Sequence, residues 1–472
     1  MPRRHLRIAA DGAALRAGFA AVRAELGIPA DFPADALAEA EQAAAAPRLP
    51  EADATDVPFV TIDPPGARDL DQALHLERRG TGYRVRYAIA DIAAFVRPGG
   101  AVDRVAQERG ETLYAPDLAT PLHPPVLVSG AASLLPGQVR PALVWDIDLD
   151  ATGEGRAVTV RRMLVRSREQ LDYATVQGLV DAGRAPEPLR LLREVGLLRG
   201  ERERDRSGLH LPVPEQEIVA WDGSYALVYR APLPVEEWNA QISLLTGMGA
   251  AELMLYGEVG VLRTLPAADP ALLARLRRTA LALGVPWADD ATWGQVVGRL
   301  DPSLPSHAAL LEEATSLLRG AGYTAFDGGV PEQATHAAVG AEYAHVTAPL
   351  RRLVDRYAGE VCVALCADQP VPGWVRDTLP RLPGLMEASN QRAGALERAC
   401  VELVEATVLR DRVGEEFDAA VVEANEHGGI VQLTDPAVRA HCEGAGLPLG
   451  AQVRVRLAAA EPATRTVRFV PA

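Results

Sequence analysis

Three stretches of different periodicity follow one another along this chain, and their order limits the folds open to it. From about residue 57 to 165 the pattern is that of strands. Tyr83, Val85, Tyr87 and Ile89 alternate with Arg84, Arg86 and Ala88, the two-residue period of a half-buried strand. Val57–Ile62 and Ala73–Leu76 precede it, and Leu143–Leu149 with Ala157–Val165 read as a hairpin around Thr152-Gly153-Glu154-Gly155. From about 170 to 410 the pattern turns mainly helical, most clearly over Glu236–Leu255, Pro270–Leu283 and Gly384–Leu409. The last sixty or so residues return to short strands at Phe417–Glu423, Gly429–Leu433, Gln452–Leu457 and Thr466–Val470. Segregated strands and helices predict an α+β fold: a large mixed α+β domain over 51–411 and a small five-stranded β-barrel over 412–472. Ahead of both, alanine-rich residues 11–46 read as two helices broken at Pro33. This N-terminal helical segment, residues 1–50, is too short for an OB barrel and is either winged-helix-like or a helical arm.

Composition narrows the chemistry. The 48 basic residues are all arginine, so no lysine is present to act as a Schiff base, P-loop ligand or general base. Any phosphate must be held by arginine, backbone N–H groups or metal. Cys362, Cys366, Cys400 and Cys442 form no CxxC pair, which argues against a zinc site and a disulfide framework and for small buried hydrophobes. A net charge of −15 argues against non-specific coating of nucleic acid, but leaves room for a narrow basic channel. Neither a charged-then-apolar leader nor a bilayer-length apolar run is visible, so a soluble, cytoplasmic protein without a membrane partner is expected.

The sharpest local signal is Thr61-Ile62-Asp63-Pro64-Pro65-Gly66-Ala67-Arg68-Asp69-Leu70-Asp71-Gln72. Three carboxylates lie within nine residues, after a β-branched strand and around a Pro-Pro-Gly turn. Such a loop can aim several carboxylates at one point, and oxygen-only ligands suit Mg²⁺ or Mn²⁺. The same spacing also describes a solvated acidic turn.

Further segments join this one in a fixed order. They are Tyr87–Val96, Arg109–Pro116, Ser133-Leu134-Leu135-Pro136, Arg166-Ser167 through Leu171-Asp172-Tyr173, Pro234–Trp238, and His336–Gly340 leading to Tyr343–Arg352 and Asp355. Together with the acidic loop and the final barrel, over roughly residues 55–472, they resemble the RNase II family of 3′-to-5′ exoribonucleases. The resemblance implies an enzyme, an exoribonuclease II-type hydrolase. It would act as a monomer on single-stranded RNA, with Mg²⁺ as cofactor or Mn²⁺ in its place, and release nucleoside 5′-monophosphates. It also implies an OB-fold RNA-binding domain at the C-terminus.

Position by position, the resemblance places Asp63, Asp69 and Asp71 on three of the family's four catalytic aspartates. Gln72 takes the fourth, so the expected metal set is Asp63, Asp69, Asp71 and Gln72. An amide oxygen can ligate Mg²⁺ but brings no charge, so weaker or altered metal occupancy is expected. A catalytically weak RNA-binding relative is the alternative that Gln72 raises, unless Asp91 supplies the missing charge. Tyr114 matches the residue that packs on the terminal base, Arg351 the arginine at the scissile phosphate, and Glu237 a glutamate near the terminal nucleotide. In-line attack builds charge on the phosphoryl oxygens and the leaving 3′ oxygen, which metal and Arg351 would offset, with Asp71 ligating the metal or orienting the water. Trp238, His210 and Phe95 are expected in the core rather than in a channel. Arg454, Arg456 and Arg468 suggest an electrostatic groove on the barrel. Where the family carries two cold-shock barrels this chain has the helical segment, which bears on access for structured RNA.

Overall fold

A computed structural model describes residues 13–472 apart from 207, 209–214, 222–223, 231, 289, 302–303 and 434–435, which include His210; for Glu312 and the 215–230 hairpin the description covers the backbone alone. The alternating region closes on itself. Strands β1 (Phe59–Asp63), β2 (Gln72–Arg79), β3 (Gly82–Ala90), β4 (Val139–Leu149) and β5 (Gly155–Asp172) form a barrel in that order, sealed by a parallel pairing of β1 with β5. The alternation explains how both faces of these strands are used. Tyr83, Val85, Tyr87 and Ile89 enter one apolar cluster with Leu74, Leu76, Trp145 and Ile147. The intervening Ala88 and Ala90 enter a second cluster with Phe59, Leu70, Ala142 and Val144.

Helices pack around this barrel and toward the C-terminal one. α1 (Ala13–Glu25), α2 (Ala34–Ala45) and α3 (Ala101–Arg109) come from the N-terminal part. α4 (Pro234–Tyr256) begins at a proline in its first turn, where a missing N–H costs nothing. α5 (Leu353–Cys366) and the long α6 (Leu382–Leu409) complete the main set. Trp238 and Phe95 are buried in the core, as the sequence indicated. Cys362, Cys400 and Cys442 are buried, Cys366 is half-buried, and all four are free thiols.

The C-terminal barrel has five strands, β6 (Glu416–Asn425), β7 (Gly428–Leu433), β8 (Arg439–Glu443), β9 (Gln452–Glu461) and β10 (Thr466–Pro471). Their order is β6-β7-β8-β10-β9, closed by β9 on β6, with β8 and β10 parallel. β8 is absent from the sequence reading because only Ala440 and Cys442 mark its inward face. Four two-stranded ribbons, at 113–120, 215–230, 259–327 and 335–342, also escaped it; three of them interrupt the region read as helical.

The N-terminal helices do not pack on each other alone. Leu15, Phe19 and Val22 of α1 share a core with α6 and the C-terminal barrel, whereas Ala36 and Ala40 of α2 join the core beneath the first barrel. Among the described residues, no helix is long and apolar enough to cross a membrane.

Candidate active site

The loop from Pro64 to Asp71 joins β1 to β2, so its carboxylates stand at one end of the first barrel. The Pro64 carbonyl accepts the Ala67 N–H at 3.1 Å, and Gly66 takes φ +78°, where a side chain would be strained. Leu70 is fully buried and anchors the loop. Its N–H donates to Ser133 Oγ at 3.0 Å, its carbonyl accepts from Leu134 at 3.1 Å, and the Ser133 hydroxyl donates to the Arg68 carbonyl at 2.6 Å. With Leu70 pulled inward, Asp69 and Asp71 on either side can turn toward Asp63 at the end of β1.

The opposite wall is the segment Thr347–Arg351, which the loop grips directly. Leu350 N–H donates to Asp71 Oδ1 at 2.8 Å, and Gln72 Nε2 donates to the Thr347 carbonyl at 2.5 Å. From the other side Asp355 Oδ1 accepts the Ala348 N–H at 2.6 Å while its carboxylate pairs with Arg352. Arg351 is thereby set with Nε 3.4 Å from Asp71 Oδ2, and its carbonyl accepts the Thr112 N–H at 2.9 Å. Two residues beyond Thr112, the Tyr114 hydroxyl reaches Asp69 Oδ2 at 3.4 Å. Residues separated by 279 positions in sequence thus meet in one pocket.

The site sets three carboxyl groups against one guanidinium. Burial, reinforced by Asp69, pushes the Asp63 carboxyl up to about 7. Burial also pushes Asp71 up to about 8, although Arg351 and the Leu350 N–H pull it down. Asp63 Oδ2 is shut off from solvent and has no hydrogen-bond partner among the described residues. An occluded, unpartnered carboxylate oxygen facing other carboxylates is a demand for a cation. Among the described residues, no three His, Cys, Asp or Glu side chains close into an all-protein metal cage. The donor set still fits Mg²⁺, which binds through one or two carboxylates and fills its shell with water and substrate phosphate.

The remaining residues from the sequence reading divide. Glu237 lies in the first turn of α4 and is exposed. Its neighbour Glu236 caps the helix, Oε1 accepting the Leu233 N–H at 2.9 Å. Asp91 is not available to supply charge to the pocket: it is bound to Arg162 at 2.5 Å, and Arg162 also holds Glu360. One site residue was overlooked. Tyr173 is hydrogen-bonded to Asn239 and stands close enough to Asp63 and Arg351 to feel both, and burial first, then Asp63, raise its hydroxyl to about 12. The Leu171-Asp172-Tyr173 segment stood out in the sequence, but nothing there marked the ring as facing the carboxylates.

A five-stranded barrel with an acidic pocket at its end, followed by an OB-type barrel, defines a class of two-barrel α+β proteins. Residues 51–365 match the RNB domain, and residues 415–472 match the RNase II-type exonuclease C-terminal S1 domain. The chain belongs to the RNB family. It is 24% identical over 456 residues to ribonuclease R of Vibrio cholerae, covering 86% of this chain and 53% of that protein. It therefore spans about half the length of the ribonuclease relatives it matches. Ribonuclease R of Mycoplasma genitalium superposes with a TM-score of 0.85 at 17% identity, over 97% of this chain and 78% of that one. Ssd1 of yeast, described as a pseudonuclease, superposes at 0.70 and 16% identity over 91% of this chain and 53% of that one. At such identities the likeness establishes the fold, and function has to be argued from the pocket.

Proposed function

We propose that this protein is a divalent-metal-dependent exoribonuclease that hydrolyses single-stranded RNA from the 3′ end and releases nucleoside 5′-monophosphates. The observation that carries this reading is the convergence of Asp63, Asp69 and Asp71 on one side of a pocket with Arg351 on the other. Asp63 and Asp69 would hold Mg²⁺, or Mn²⁺ in its place. When bound, the ion supplies charge stabilisation and a more acidic water. Asp71 orients the attacking water and holds Arg351, whose guanidinium offsets charge growing on the phosphoryl oxygens. Water's oxygen bonds to phosphorus as the P–O3′ bond breaks; it leaves on the 5′-monophosphate with its proton released to solvent, and the freed 3′ oxygen takes up a proton to become the hydroxyl of the shortened strand. Tyr114 offers a face for stacking the terminal base, which favours unpaired strands. The relatives named ribonuclease R support the substrate class.

The test uses 5′-labelled single-stranded RNA incubated with the full chain and Mg²⁺, with and without EDTA. A ladder of shortening products that disappears under EDTA is expected. An uncut strand retained on the protein would place the chain with inactive binders.

A further inference from the structure

Two of the ties between the N-terminal segment and the rest of the molecule bear on one hairpin, the ribbon of Leu113-Tyr114 and Ala119-Thr120 that carries Tyr114. At its tip, Asp117 receives Arg23 of α1 in a two-pronged contact, Nη1 to Oδ1 at 2.6 Å and Nη2 to Oδ2 at 2.9 Å. The two side chains are only 13% and 12% exposed, so this pair is shielded from the screening that weakens surface ion pairs. At the hairpin's base, Arg109 Nη1 donates to the Pro121 carbonyl and Nη2 to the Asp31 carbonyl, each at 2.8 Å. The same guanidinium lies 3.9 Å over the ring of Phe32. Asp31 and Phe32 belong to the connection between α1 and α2.

Between these ties the residues flanking Tyr114 are locked by packing. Leu113 and Ala115 are buried with Leu15, Phe19 and Val22 of α1 and with Leu396 and Cys400 of α6. Gly18 lets α1 lie so close to α6 that a Cβ there would fall 2.6 Å from Leu403 Cδ2. Beyond the hairpin, Glu25 at the end of α1 holds Arg465 of the C-terminal barrel at 2.8 and 3.0 Å.

We propose that α1 is a brace for the reaction, with Arg23 a positioning residue that, through Asp117, holds the hairpin so that Tyr114 stands over Asp69. The consequence for activity rests on the reading of Tyr114 as a base platform. The brace itself is a statement about the hairpin and can be judged apart from that reading.

The experiment compares the full-length chain with Arg23→Asp, Asp117→Arg and the charge-swapped double variant, each with and without Tyr114→Ala. Hydrogen exchange of the 113–120 amides and kcat/KM on single-stranded RNA are both measured. Each single reversal should raise exchange across the hairpin and lower kcat/KM by about tenfold, since small misplacements of a substrate-positioning group are costly. The double swap should restore both to within about threefold. In the Tyr114→Ala background, Arg23→Asp should cause no further loss of kcat/KM. Arg23→Lys, which keeps the charge but not the fork, should fall between and covers the case in which reversal unfolds α1. Wild-type exchange and kcat/KM in Arg23→Asp, no rescue by the swap, or losses that add to that of Tyr114→Ala would overturn the proposal. If Tyr114→Ala alone leaves kcat/KM unchanged, the platform reading fails, and the exchange data still decide on the brace.

Discussion

The two barrels of this molecule have the same number of strands, and each contains one parallel pairing, yet their charges are arranged in opposite ways. On the first barrel, the end of β1 and the loop after it gather three carboxylates against one guanidinium, and one carboxylate oxygen has no partner among the described residues. On the C-terminal barrel, two of the three arginines that suggested an RNA groove are answered on the spot. Arg454 pairs with Asp418 at 3.0 Å and reaches Glu416 at 3.5 Å, and Arg468 pairs with Glu443 at 2.9 Å. Architecture alone therefore does not mark the reactive barrel. Desolvated carboxyl groups crowded together, one oxygen of them unpartnered among the described residues, do, because such an arrangement is tolerated only where something binds.

Breaking that imbalance should have the largest effect. Asp71→Asn keeps an acceptor for the Leu350 N–H but removes the charge facing Arg351. Hydrolysis should fall by about a hundredfold or more, with RNA affinity nearly intact. Single-turnover rates within a few-fold of wild type would remove Asp71 from the chemistry. Arg351→Ala should lose a similar order of rate, and because it removes the guanidinium that the described residues set against these carboxylates, it should leave Mn²⁺ binding undiminished.

Gln72 sharpens the comparison. Its amide nitrogen is given to the Thr347 carbonyl, so the side chain ties the acidic loop to the Arg351 segment. Gln72→Asp adds a charge and forfeits that tie. If charge dominates, the Mg²⁺ concentration for half-maximal activity should fall several-fold relative to wild type, and Mn²⁺ should narrow the gap. Identical midpoints in metal titrations would mean that Gln72 stands outside the metal shell and acts as a tether alone.

Much of this was legible in the sequence. The two-residue period of Tyr83–Ile89 gave a strand whose partners are now fixed by register, whereas the acidic loop, which on spacing alone also describes a solvated turn, stood out through the ordered segments that resemble the RNase II family. What stayed hidden depends on distance through space. Closure of the first barrel comes from β1 pairing with β5, roughly a hundred residues away, and no local pattern encodes it. The neutralised arginines of the C-terminal barrel read as free cations because their partners lie on adjacent strands. Arg23 carried no signal at all: its partner Asp117 is 94 residues distant.

Smaller effects are expected where charge is already balanced. Arg454→Ala and Arg468→Ala should each shift affinity for a long single strand by no more than about twofold and change the salt slope by less than one ion. A full-unit loss of slope would show that these side chains leave their carboxylates for phosphate. Acid stability offers a gentler contrast between buried groups. Burial, then Arg356, lowers His123 to about 3, burial lowers His336 to about 4, and His345 is pushed well below its ordinary range for the same first reason. Each is neutral when folded and takes up a proton on unfolding below about pH 6.5, so its contribution is complete above that pH and fades as pH falls toward the folded value. Thermal denaturation should show Tm dropping from pH 6.5 to 4.5, less steeply in His123→Gln.

The central claim is that water, activated in the acidic pocket, attacks the terminal phosphodiester. Digestion of single-stranded RNA in ¹⁸O-water with Mg²⁺, followed by mass spectrometry of the released nucleotides, tests it directly. The account predicts nucleoside 5′-monophosphates carrying one ¹⁸O on phosphorus, formed by the wild type and about a hundredfold or more slower with Asp71→Asn. Nucleoside diphosphates formed from added phosphate, 3′-phosphorylated products, or unlabelled monophosphates would contradict it.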